Sequence, residues 1–155
     1  MREAIGSTFV LNFIIVFFII FIAMFATSTS YTKGAKVKNV ILDIVEENAD
    51  ELSESENIPG NVSAEIDSRL KAMGYRLNTN YINSKCDSEY SGGILMNGQS
   101  NYRYCLYKHI NKTKGCYFTV IAYRYFDLPI IGSRLEFPIE GSTRSYFHIV
   151  KYDEH

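Results

Sequence analysis

The sequence has almost no net charge, no tryptophan, no internal repeat and no low-complexity tail. Its 16 lysine and arginine residues are balanced by 17 aspartate and glutamate residues, which gives a formal charge of −1. Because nucleic-acid binding depends on clustered positive charge, this balance gives no electrostatic case for a nucleic-acid partner.

Catalytic and cofactor-binding motifs are also missing. The chain contains no G-x-G-x-x-G, no P-loop, no H-E-x-x-H and no G-x-S-x-G. The glycines at Gly92, Gly93 and Gly98 lack the preceding strand and following helix that phosphate binding needs. The sequence therefore predicts a protein that is not an enzyme and that uses no cofactor.

Cysteine is scarce, with Cys86, Cys105 and Cys116 the only three. An odd count allows at most one internal disulfide. Cys86–Cys105 is the favoured pair because it would join a long irregular segment to the first strand of the sheet, and Cys105–Cys116 is its rival. Reduced cysteines or a metal site remain a third possibility. Zinc is disfavoured because no C-x-x-C pair occurs and Cys105 lies about 13 Å from His109 along a strand.

No charged side chain occurs from Ala4 to Thr32, and the stretch Phe9–Phe25 is almost wholly apolar. As a helix, Ala4–Ala26 would span roughly 34 Å, and the hydrocarbon core of a bilayer is about 30 Å thick. A secretory signal has an apolar stretch of only about 7–15 residues. We therefore expect residues 1–32 to be a retained membrane anchor in contact with the lipid bilayer.

Asn12 is the polar exception within this apolar stretch. Its amide could pair with a carbonyl of its own helix or lie near the interface. It could also contact a partner helix in the membrane. The sequence leaves both interpretations open.

Different features of the sequence predict opposite orientations of the anchor. Lys33, Lys36 and Lys38 follow the span, and the positive-inside rule would keep the C-terminal domain in the cytoplasm. Cysteine usage and aromatic strand composition favour the outside, and long domains can translocate despite flanking charge. We expect a single-pass protein of the cell membrane whose C-terminal domain lies outside.

Two helices are predicted after the anchor. Residues 33–57 form an amphipathic helix, continuous or nearly so with the anchor. A second, short helix covers residues 62–73, with Asn61 or Ser63 as its N-cap and Gly74 just after its end. Apolar residues at helical spacing define the first stripe: Val37, Val40, Ile41, Ile44, Val45, Ala49 and Leu52.

Strands dominate the rest of an α+β domain that covers residues 58–155. Residues 75–100 are predicted to be mostly loop, with a short strand near Ile94-Leu95-Met96. One hairpin pairs Tyr102–His109 with Cys116–Phe126, and a second pairs Arg134–Glu140 with Ser142–Tyr152 about Gly141. The result is an antiparallel sheet of three to four strands. Tyrosines concentrate in these strands, either as one core face with a cross-strand ladder or as a binding face.

Two stretches carry a family resemblance. Residues 2–9 (REAIGSTF) lead from a charged tip almost directly into the apolar run. Residues 128–132 (LPIIG) are followed by Phe137-x-Ile139-x-Gly141-x-Thr143. In this layout the chain resembles pilins and pseudopilins and, more narrowly, the TadE-like proteins of tight-adherence pilus loci.

This resemblance implies a non-enzymatic, single-span membrane subunit that helps to assemble a pilus or secretion apparatus. Its partners would be other pilin-like or pilus-assembly membrane proteins. The resemblance implies no catalytic residue. The alternative is an anchored extracytoplasmic module that binds a ligand or a protein.

Overall fold

A computed structural model describes residues 2–75, 86–96, 102–111, 115–127 and 134–146. Three helices come first and five strands follow, which is the α+β arrangement predicted from the sequence. The elements are α1 (Arg2–Glu47), α2 (Ala49–Glu54), α3 (Gly60–Ala72), β1 (Glu89–Tyr90), β2 (Gly93–Leu95), β3 (Tyr104–Asn111), β4 (Gly115–Asp127) and β5 (Arg134–Ser142).

Helix α1 joins the predicted anchor and the predicted amphipathic helix without a break. Its 46 residues are about 69 Å long. The amphipathic segment 33–57, however, is divided at Asn48. The backbone N–H and the side-chain amide of Asn48 both donate to the carbonyl of Ile44, at 3.1 and 2.9 Å, and α2 begins at the next residue.

The C-terminal end of α2 is held by the sheet. The ammonium group of Lys108 on β3 donates hydrogen bonds to the carbonyls of Ser53 and Ser55. A cation at this position satisfies carbonyls that have no partner within the helix and complements the helix dipole. This contact ties the short helix to the middle of the sheet.

Helix α3 begins two residues earlier than predicted. Its N-cap is Pro59, which makes no side-chain cap, so the expectation of Asn61 or Ser63 as the cap was wrong. The Asn61 amide instead donates to the Glu51 carboxylate at 3.0 Å. The predicted stop at Gly74 is confirmed: this residue has a φ of +66° and closes the helix in a Schellman motif with Tyr75.

The main core lies between the second half of α1, the helices α2 and α3, and one face of the sheet. Met73, which the helical spacing places on the apolar side of α3, is 41% exposed because it follows the last helical turn. Each fully buried aliphatic side chain contributes roughly 1.5–3 kcal/mol to stability. The core is formed by Ile41, Val45, Leu52, Val62, Ile66, Leu70, Leu106, Phe118 and Val120, all at most 1% exposed.

The sheet is an antiparallel meander in the order β1-β2-β3-β4-β5. It has five strands instead of three to four because β1 and β2 form a hairpin within the segment predicted to be mostly loop. Pro138 lies on β5, an edge strand, where its missing N–H is tolerated.

The predicted hairpin about Gly141 is wrong. Strand β5 runs through Gly141 to Ser142, and Tyr146 then forms an isolated bridge with Cys116. The remainder of the predicted strand Ser142–Tyr152, beyond Tyr146, lies outside the described residues.

Gly141 does not form a turn. It lies where α1 closely approaches β5. An ideal Cβ placed on it would lie 2.5 Å from Cδ of Lys38 and 2.9 Å from Cδ1 of Leu42. Both of these side chains belong to α1. A residue without a side chain at this point therefore lets the helix lie directly on β5.

The sheet curls strongly away from α1. The Tyr90 hydroxyl on β1 donates to Oε2 of Glu140 on β5 at 2.9 Å, although these are the first and last strands. Four interstrand spacings of a flat sheet would separate them by about 19 Å. The two side chains meet because the sheet bends into a half-barrel whose concave face points away from the helix.

We expect Gly141→Ala to lower the free energy of unfolding by about 1–3 kcal/mol, because the added methyl group must displace Leu42 and Lys38. The matched control is Gly60→Ala, since an ideal Cβ at Gly60 meets no heavy atom within 4 Å. Denaturant unfolding of the full chain in detergent micelles, followed by tyrosine fluorescence, measures both changes. Equal effects would contradict the role assigned to Gly141.

Candidate functional site

The first half of α1 is an exposed apolar surface. Of the 20 large hydrophobic side chains that are exposed among the described residues, 15 lie between Phe9 and Phe25. They surround the whole circumference of the helix, so no single face of this segment is reserved for the protein's own core. Such a surface on an isolated chain marks contact with lipid or with other proteins.

By length and composition, α1 is the one helix among the described residues that could cross a membrane. The qualifying segment is Thr8–Glu47, and none of its most apolar stretch is buried within the protein. This agrees with the coarse expectation of an apolar N-terminal span.

A hydroxyl-rich turn follows the apolar stretch. The side chains of Thr27, Thr29 and Thr32 each donate to the carbonyl four residues earlier, at 2.8, 3.0 and 3.0 Å. Hydroxyls bonded in this way present little unmet polarity to their surroundings. The helix therefore passes from apolar to charged sequence without unpaired threonine hydroxyls.

Asn12 contrasts with these threonines. Its side chain is exposed on α1. No hydrogen bond joins its amide to any residue that the structure describes. The interpretation in which the amide pairs with a carbonyl of its own helix therefore has no counterpart in this structure.

The three lysines after the span differ in their surroundings. Lys33 and Lys36 are exposed, and Tyr31 beside them is 64% exposed. Lys38 is partly buried and lies across Gly141 of β5. Only the first two lysines are thus fully available to the surroundings of the helix.

The concave face of the sheet holds a second, smaller core. Cys105, Tyr107 and Ile121 are at most 5% exposed there, packed with Tyr90 and Tyr123. On the opposite face, Tyr104 belongs to the main core. Tyr104 and Tyr107 are therefore packed on opposite faces of the sheet.

His109 lies buried on the same concave face. Its ring stacks on Tyr117 with centroids 4.4 Å apart and an angle of 4° between the planes. An ideal Cβ on Gly93 would fall within 2.8 Å of three atoms of the ring, so glycine leaves the space that the ring fills. His109 is 4% exposed, and its Nε2 has no hydrogen-bond partner among the described residues.

The electrostatics of this face keep its aromatic groups neutral. Burial lowers the pKa of His109 below its usual value of 6.5, and the Glu140 carboxylate only partly opposes that shift. Burial, followed by the neighbouring Tyr123 and Asp87, raises the pKa of Tyr107 to about 12. The hydrogen bond to Glu140 raises the pKa of Tyr90, so Tyr90 remains a hydrogen-bond donor.

Cys86 and Cys105 form a disulfide with a Cα–Cα distance of 5.7 Å, which is the pair ranked first from the sequence. The rival pair is impossible in this fold. Cys105 aligns with Ile121 and Cys116 with Ile110, so the alternation of side chains places the two cysteines on opposite faces of the sheet. Cys116 is instead a buried free thiol in the main core, where burial raises its pKa.

The set of Cys86, Cys105, His109 and Cys116 is not a metal centre in this fold, because two of its thiols are joined to each other. Within the described ranges, no three histidine, cysteine, aspartate or glutamate side chains are placed to hold a metal ion.

The sequence indicates that His109 ends a predicted hairpin strand, but it does not indicate that the side chain is buried. The missing information is its neighbour Gly93 on β2, a strand that the sequence marks only weakly. The link between Tyr90 and Glu140 was also missed, because no local pattern reports how far a sheet curls.

Comparison with known proteins identifies no relative: no family model, curated protein or solved structure matches the chain.

The buried imidazole predicts a pH-dependent stability. The pKa of His109 in the folded chain lies below 6.5. The unfolded chain therefore binds more protons than the folded chain once the pH falls past 6.5. The contribution of His109 to the free energy of unfolding is therefore fully present above pH 6.5. This contribution is lost as the pH falls through the pKa of His109 in the folded chain. Urea unfolding between pH 8 and pH 5 measures the slope of the free energy of unfolding against pH.

The test uses a background of His148→Gln and His155→Gln, in which His109 is the only histidine. His109→Gln should flatten the part of the slope near pH 6 in that background. An unchanged slope would assign the pH dependence to the carboxylates.

Removing the disulfide should cost about 3 kcal/mol of unfolding free energy, since it closes a loop of 19 residues. The double variant Cys86→Ala/Cys105→Ala tests this by denaturant unfolding. A thiol reductant should lower the stability of the wild-type chain to that of the variant and leave the variant unchanged. A reductant effect of equal size on the variant would contradict the assignment.

Proposed function

We propose that the protein is a non-enzymatic, membrane-anchored subunit of the pilin-like or TadE-like kind, which takes part in the assembly of a pilus or secretion apparatus. The observation that supports this most is the division of α1 into two halves. Its first half is apolar and exposed, whereas the apolar stripe of its second half is buried against a sheet.

The helix suits this role because it is continuous. Regular helix runs from Arg2 to Glu47, with no loop between the exposed half and the half that carries the sheet. A subunit of this shape transmits the position of its membrane segment directly to its folded domain. A flexible linker, by contrast, would leave the domain free to move.

The boundary between the two halves suits a membrane surface. Exposed Tyr31, Lys33 and Lys36 follow the apolar stretch within three turns. Aromatic and basic side chains at the end of a span favour the headgroup layer. We place the domain outside the cell because its disulfide fits an oxidising compartment.

The proposed anchor predicts the behaviour of the full chain in cells. The protein should remain with membranes after alkaline carbonate extraction, since a helix of this length is held by lipid. It should also co-purify with pilus-assembly proteins or enter pilus-like fibres. A protein found only as an isolated monomer in membrane fractions would contradict the assembly role and leave the anchored binding module.

The proposed orientation predicts labelling from outside. The free Cys116 is unsuitable because it is only 1% exposed, so Ser68→Cys on the exposed side of α3 supplies the target. A membrane-impermeant maleimide should label the Ser68→Cys variant in intact cells, with the wild-type chain as the unlabelled control. Labelling only after lysis would place the domain in the cytoplasm.

A further inference from the structure

The side chain of Asn12 lies at a depth where water does not reach, if the proposed anchor is correct. Phe9–Ala26 is uncharged and, apart from Asn12, apolar. Asn12 lies about 8 Å from the middle of this stretch along the axis, and half the hydrocarbon thickness is about 15 Å. Its amide is therefore about 7 Å inside the hydrocarbon, and no described residue bonds it.

An unpaired amide in hydrocarbon favours contact with another polar group. Interhelical hydrogen bonds of asparagine stabilise helix association in membranes because the alternative is an unsatisfied group in lipid. The hydroxyls of Thr27, Thr29 and Thr32 meet this requirement within their own helix. Asn12 forms no such bond with any residue that the structure describes, so a polar group on a neighbouring transmembrane helix would satisfy its amide.

The rotation of the helix fixes the direction in which Asn12 points. At about 100° per residue, Val37 and Ile41 lie within about 20° of Asn12 around the axis. Val37 and Ile41 are buried at 3% and 0% exposure in the contact with the sheet domain. The Asn12 face and the domain therefore lie on the same side of α1, one above the other.

This direction argues against a second copy of the chain as the partner. Two parallel copies that met through their Asn12 faces would bring both sheet domains into the space between the helices. A copy that docked with its opposite face would offer Ile14, Phe17 and Phe21, none of which can bond an amide.

We infer that Asn12 docks a transmembrane helix of a different protein, one that presents an amide, hydroxyl or carboxyl group at the same depth. The inference rests on the proposed function, because it requires α1 to be inserted in a bilayer. Ala26 and Ser30 lie along α1 between Asn12 and the part of the helix that packs on the sheet domain. Both are on the same side of α1 as Asn12, within about 40° of it around the helix axis. Their small side chains allow a second helix to approach closely there.

The experiment uses the labelled full chain in phosphatidylcholine vesicles with two synthetic leucine-based transmembrane peptides. One peptide carries a single asparagine at the depth of Asn12, and the other carries leucine there. Energy transfer should show that the wild-type chain binds the asparagine peptide about three- to thirty-fold more tightly than the leucine peptide. Asn12→Leu should abolish that preference, Asn12→Gln should retain it, and Phe21→Leu on the opposite face should leave it unchanged.

Three results would overturn the inference. Equal binding of the two peptides would show that the amide selects no polar partner. Self-association of the wild-type chain that Asn12→Leu abolishes would make the partner a second copy. Carbonate extraction of the vesicles is performed first, and loss of the protein there would overturn the proposed function as well, whereas retention with equal binding would overturn the inference alone.

Discussion

The apolar stripe on the second half of α1 is the constraint on which the rest of the structure depends. Ile41 and Val45 of this stripe are fully buried, and the sheet residues Phe118 and Val120 are buried in the same core. Without that helix the inner face of the sheet would be open to water. The stripe also determines which side of α1 faces the sheet. Because α1 has no break, the direction of each side chain in its exposed half is set by the same contact. Packing in the domain thus determines which way Asn12 faces.

Much of the fold could be predicted because it follows periodic patterns. The 3.6-residue spacing identifies the buried side of α1, and Gly74 correctly marks the end of α3. The end of α1 could not be predicted, because the break is confined to Asn48, which leaves the helical conformation with a φ of −110° and a ψ of 23° while it still donates to the Ile44 carbonyl. Gly141 illustrates a second limit: glycine suits a turn and a close approach equally, and only the position of α1 distinguishes the two.

The candidate sites also divide into features that local sequence predicts and features that depend on long-range contacts. The cysteine ranking follows from sequence order and is the pairing in the structure. The exclusion of Cys116 requires the register of β3 and β4, which sequence does not supply. His109 and Gly93 meet only because β2 pairs with β3, so their contact is a property of the assembled sheet. Long-range contacts of this kind leave no local signal in one sequence.

Both faces of the sheet are already occupied by the protein itself. The main core covers one face, whereas the disulfide, the buried tyrosines and the link from Tyr90 to Glu140 close much of the other. The extended apolar surface that remains among the described residues belongs to the first half of α1. In the proposed role this surface would lie in the bilayer, where it would contact lipid and the helices of partner proteins. This distribution favours an assembly subunit over a domain that binds ligands on its sheet.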